Sequence, residues 1–122
     1  MYWNSRNGLP LSLEKLRAGT PLRVVAFGTS ITHDGYYLEH VVAKLQAIFD
    51  RSAVSLETVG RRMSVSAWAA HCVAERVLPL TPDLVLLEFA VNDAMYAHNT
   101  SYDITSVMHG IIGQIREERP AE

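Results

Sequence analysis

The segment "DLVLLEFAV", which begins at Asp83 and ends at Val91, is nearly continuously apolar. A strand with one wet face alternates apolar and polar residues, whereas one covered on both faces does not; the latter pattern belongs to the middle of a parallel sheet. This segment therefore predicts a central parallel strand, which in turn demands helices on both sides of the sheet. Residues 22–27 form a second buried strand. Residues 54–59 set Val54, Leu56 and Thr58 against Ser55 and Glu57, the alternation of a strand with a face or an edge toward water, and end at Gly60.

Helical patterns fill the intervals. "LSLEKLRAG" reads as a short lead-in helix with Ser12 as its cap and Gly19 as its stop. Residues 35–49 place Leu38, Val41, Val42, Leu45, Ile48 and Phe49 on one face, expected to cover the sheet. Residues 66–78 direct Ala70, Val73, Ala74 and Val77 inward and stop at Pro79. Residues 103–116 carry Ile104, Val107, Met108, Ile111, Ile112 and Ile115 as a stripe. Gly110 and Gly113 in that helix each cost about 1 kcal/mol relative to alanine, and close helix-to-sheet packing would explain both. Strands alternating with helices define an α/β chain, and 122 residues suit a single domain over residues 1–122.

Composition narrows the function. A hydrophobic share of 48% with 20% charged residues excludes a disordered chain. A net charge of −2 supplies no basic field, so nucleic acid is not an expected partner. Cys72 is the single cysteine and forms neither an internal disulfide nor a zinc site. His40, His71 and His109 show no metal-ligand spacing, and no metal or cofactor is expected. No run approaches the roughly 20 apolar residues of a membrane span. The N-terminus lacks a signal peptide's apolar core, so a native N-terminus would place the protein in the cytoplasm.

Each strand delivers small polar groups at its C-terminal end: Gly28, Thr29 and Ser30, then Gly60, then Asn92 and Asp93. In open parallel sheets this is the rim where ligands bind. A P-loop needs a glycine-rich run ending in lysine, and a dinucleotide fingerprint needs glycine two residues after Gly28; neither is present. A serine beside a glycine turn and an asparagine amide fits acyl transfer better, because the tetrahedral intermediate needs donors aimed at its oxyanion.

On these residues the chain resembles the SGNH, or GDSL-like, hydrolases. "FGTSIT" is similar to their first block with Ser30 at the nucleophile position, "VGRR" aligns Gly60 with the second-block glycine, and "EFAVNDA" is similar to the third block with Asn92 at its asparagine. The resemblance implies a three-layer α/β/α, flavodoxin-like parallel sheet of order 2-1-3 whose C-terminal strands are absent from this chain. It implies metal-free ester hydrolysis, with Ser30 N–H, Gly60 N–H and the Asn92 side chain forming an oxyanion hole. Thr29 stands where the family usually has aspartate, Thr58 where it often has asparagine, and Ala90 where it usually has glycine. Arg61 and Arg62 replace a commonly glycine-rich stretch; such guanidiniums could hold an anionic group, but adjacent surface arginines are ordinarily solvated.

The family's D-x-x-H segment, which carries the general base, does not occur, and without a base serine is a weak nucleophile. Thr29, His33, Arg61, Asp93 and His98 are candidates for lining the substrate. The expected activity is that of a serine esterase on acyl or acetyl esters, acylated carbohydrate among them, its base supplied by further sequence or another chain. The alternative is a non-catalytic binding or assembly domain that keeps the fold. Because order 2-1-3 leaves the third strand at an edge, pairing with a second copy or another chain through residues 83–91 is also expected.

Overall fold

The computed structural model describes residues 8–96 and 101–118. In chain order the elements are α1 (Pro10–Ala18), β1 (Leu22–Gly28), α2 (Ser30–His33), α3 (Tyr37–Ile48), β2 (Val54–Gly60), α4 (Ser66–Arg76), β3 (Leu84–Glu88), α5 (Ala90–Tyr96) and α6 (Ser101–Glu118), with a 3-10 turn at Leu78–Leu80 after α4. The three strands are all parallel in the order β2-β1-β3.

The period-two alternation of a strand sorts its side chains onto two faces, and β1 uses both. Val25 and Phe27 enter one core with Ala69, Cys72 and Val73 of α4 and with Ile111 and Ile115 of α6. Leu22 and Val24 enter another with Leu16 of α1 and, half-buried, Leu45 and Phe49 from α3 and the residue that follows it. The sheet is thus the middle of three layers. Phe27 anchors the α4/α6 side, its ring meeting Phe89 edge-on at 5.2 Å and Trp68 at 5.9 Å. Burial pushes the Cys72 thiol above its ordinary range, which suits a packing role.

Several local expectations need correction. Ser12 does not cap α1; Leu9 is the N-cap without a side-chain bond, Pro10 opens the helix, and Ser12 is buried within it. On α3, Val41 and Ile48 are exposed. At 3.6 residues per turn they sit about 60–80° round from Leu38, outside the strip that a narrow three-stranded sheet can cover. Ala74 of α4 is exposed while Ala69 and Cys72 face inward. Gly110 and Gly113 do not serve close packing, since an added Cβ at either would meet nothing within 4 Å.

The largest correction concerns the third strand. It ends at Glu88 rather than Val91, and from Ala90 the chain is helical, with the Asp93 N–H donating to the Phe89 carbonyl at 2.9 Å. Leu84 is buried and the rest of β3 is half-buried, at the outer position where the order 2-1-3 places it beside β1.

Candidate functional site

The strand ends are brought together by register. Gly28 pairs with Gly60 on one side and with Glu88 on the other, so the last residues of all three strands stand in one row. Glycine at position 28 is a steric requirement: a Cβ there would collide with the Thr32 hydroxyl and lie 2.6 Å from the Glu88 carbonyl oxygen. Gly60 is equally confined, a Cβ there falling 2.7 Å from the backbone of His33. The Arg61 N–H donates to the Gly28 carbonyl at 3.1 Å and ties the loop after β2 to the end of β1.

Ser30 follows directly as the first residue of α2 and is half-buried. Thr29 before it is fully buried and is the helix N-cap; its hydroxyl accepts from the Ile31 N–H at 3.3 Å and donates to Glu88 Oε2 at 2.7 Å. The turn is closed by the His33 N–H on the Thr29 carbonyl at 2.9 Å and the Asp34 N–H on the Ser30 carbonyl at 2.8 Å.

Asn92 and Asp93 lie in the first turn of α5 and are both buried. Asn92 Nδ2 donates to the Ser64 carbonyl at 2.8 Å, which fixes its amide against the loop that begins at Gly60. A carboxamide NH₂ carries two protons, so this bond aims the second one. Asp93 Oδ1 accepts from the Ser66 N–H at 2.7 Å. It therefore caps α4, whose N-cap residue Val65 supplies no side-chain bond. A carboxylate at a helix N-terminus is favoured by the exposed N–H groups and the helix dipole.

The remaining candidates are placed as follows. His33 is exposed, with its backbone against Gly60. Its neighbour Asp34 is held by Arg62 in a two-pronged contact of 2.6 and 3.0 Å. That guanidinium holds the Asp34 carboxyl below the ordinary aspartate range, and the Arg62 group is pushed up in return. Arg61 lies 5.3 Å over the Trp68 ring and Arg76 lies 5.9 Å from it; Arg61 and Arg62, the "RR" pair, are both exposed, one against Trp68 and the other on Asp34. His98 lies outside the described residues.

Glu88, Thr32 and Ser64 were not singled out from sequence. Glu88 carried a signal, being the one charge between Leu84 and Val91. Among the described residues, Thr32 Oγ1, Glu88 Oε1 and Asp93 Oδ2 are buried without a hydrogen-bond partner. A cleft of about 390 Å³ opens on the β2 side of the rim, lined by Thr32, His33, Tyr36, Leu38, Leu56 and Thr58 among others; Ser30, Gly60 and Asn92 do not line it. No group of three His, Cys, Asp or Glu among the described residues could hold a metal ion, and none of the described helices is long and apolar enough to cross a membrane.

No protein-family model and no curated protein matches the chain. Solved structures do. A two-domain esterase active on acetylated mannans superposes with a TM-score of 0.74 at 22% identity, covering 85% of this chain and 29% of that one. A lipase/acylhydrolase from Enterococcus faecalis gives 0.67 at 21% identity, over 80% of this chain and 54% of that one. An acetyl xylan esterase gives 0.58 at 21% identity, again over 80% and 54%. The chain shares the α/β fold of these esterases and acylhydrolases, and it spans about half the length, or less, of each.

Proposed function

We propose that this chain carries the nucleophile and oxyanion hole of a serine ester hydrolase. The supporting observation is the register that sets Gly28 between Gly60 and Glu88, with Ser30 two residues beyond the first and Asn92 four beyond the last. Ser30 Oγ attacks the ester carbonyl while the Ser30 and Gly60 N–H groups and the Asn92 amide receive the negative charge on the carbonyl oxygen. The alcohol leaves with a proton, and water then releases the acid from the acyl-serine. The base that takes the serine proton comes from a further segment or another chain, since no D-x-x-H occurs here.

The likeness to an esterase active on acetylated mannans and to an acetyl xylan esterase supports acylated carbohydrate as the substrate class. Pairing through the outer side of β3, with a second copy or another chain, belongs to the same reading, because its half-buried aliphatic residues face both sides of the sheet.

A second reading, a non-catalytic binding domain, is favoured by the position of the cleft away from Ser30. Labelling with a fluorophosphonate separates the two. When the base is supplied, the first expects covalent labelling of the parent protein and none of Ser30→Ala, together with turnover of acetyl esters. Labelling indifferent to Ser30→Ala leaves the binding reading.

A further inference from the structure

Resting on the reading of Ser30 as nucleophile, we propose that Glu88 is a positioning residue, which orients the Thr29 hydroxyl and thereby holds the turn that presents Ser30. α2 is a single turn of four residues, too short to be stable by propensity, so its placement depends on anchors. Gly28 and Glu88 are register partners, which brings the end of β3 beside that turn. The Thr29 hydroxyl has one proton and gives it to Glu88 Oε2 at 2.7 Å. Its lone pairs then face the Ile31 N–H, whose bond starts the helix. Ser30 lies between these two anchored residues, and the cap, by engaging Ile31, stays clear of the Ser30 N–H.

Stability alone gives no reason for a charged residue at position 88. Its second oxygen, Oε1, is buried without a partner among the described residues, and no ion pair of those residues includes it. Glu88 is half-buried; taking one carboxylate oxygen out of water without a partner is unfavourable, and an apolar residue of similar volume is tolerated at such a site. A group kept at a stability cost beside a reacting residue is the pattern of a functional constraint.

The test measures, in the full-length protein, the fluorophosphonate labelling rate of Ser30 beside the melting temperature. Glu88→Leu is expected to melt no lower than the parent while labelling at least tenfold more slowly. Glu88→Gln, which retains an acceptor for Thr29, labels within threefold of the parent. Thr29→Ser restores what Thr29→Val loses. Labelling of Glu88→Leu at the parental rate overturns the proposal, as does a loss that merely follows its unfolded fraction. A parent whose labelling ignores Ser30→Ala overturns the nucleophile reading and this proposal with it, an outcome distinct from failure of the Glu88 variants alone.

Discussion

β2 and β3 lie on opposite sides of β1, parallel to it and in register with its last residue, yet they meet water differently. β2 reads VSLETVG, with Ser55, Glu57 and Thr58 exposed and Val54 and Leu56 half-buried. Polar and charged residues of this kind blunt an edge against pairing with other chains. β3 reads LVLLE, with Val85 and Leu87 against one core and Leu84 and Leu86 against the other. The rim repeats the contrast. On the β2 side Arg62 forks onto Asp34, while at the end of β3 Glu88 Oε1, and beyond it Asp93 Oδ2, are buried without donors among the described residues. One outer strand carries exposed polar residues along its length, while the other is an aliphatic run that ends in a carboxylate.

Proline breaks the comparison most sharply. The Leu22 N–H donates to the Ala53 carbonyl at 2.9 Å and the Gly28 carbonyl accepts from the Arg61 N–H at 3.1 Å, so the even residues of β1 bond toward β2. The odd residues then bond toward β3, and the ladder takes the N–H of Leu86 while that of Val85 points away from β1. Leu86→Pro is expected to be less stable than Val85→Pro by about 1–3 kcal/mol in denaturant unfolding, the cost of leaving a ladder group unpaired. Val85→Pro in turn is expected to remove any association through β3, read by size-exclusion with light scattering. Equal unfolding midpoints would mean that the sides have been assigned wrongly.

The glycines sharpen the same contrast at a smaller scale. Gly28→Ala places a methyl group against the Thr32 hydroxyl and the Glu88 carbonyl and is expected to destabilise by about 1–3 kcal/mol, as overpacking does. Gly113→Ala, in α6, meets nothing within 4 Å and is expected to stabilise by up to about 1 kcal/mol. Thermal melts of the two variants should move in opposite directions.

The smallest effect lies on the β2 side. Because Arg62 lowers the folded-state pKa of Asp34, their pairing contributes stability above the unfolded aspartate pKa of about 3.9. That contribution is lost as pH falls through the lower folded value. The pair is solvent-exposed, so the gap in melting temperature between the parent and Asp34→Asn should be slight at pH 7, narrow below about pH 4 and then close. A gap that widens in acid would show that the carboxylate is not stabilised by the fold.

The glycine at each of the first two strand ends and the positions of α4 and α6 were legible because each rests on a local pattern, whereas the order of the strands came only with the family resemblance. Val25 and Phe27 go to one face and Leu22 and Val24 to the other because a strand has a period of two whatever surrounds it. The same reasoning misplaced the end of β3. Ala90 and Val91 continue the apolar run, and a short apolar run has no period that separates strand from buried helix. It also overfilled α3, where Val41 and Ile48 belong to an apolar stripe wider than the sheet beneath it.

Sequence alone determined which residues must leave water and which strand ends must be small, since periodicity and steric bulk are properties of the chain itself. Tertiary structure decided the partners: Thr29 with Glu88 across 59 residues, Ser66 with Asp93 across 27, and Ser64 with Asn92 across 28. A hydrogen bond is directional and reaches about 3 Å. These pairs therefore exist only because parallel register sets the ends of β1, β2 and β3 side by side.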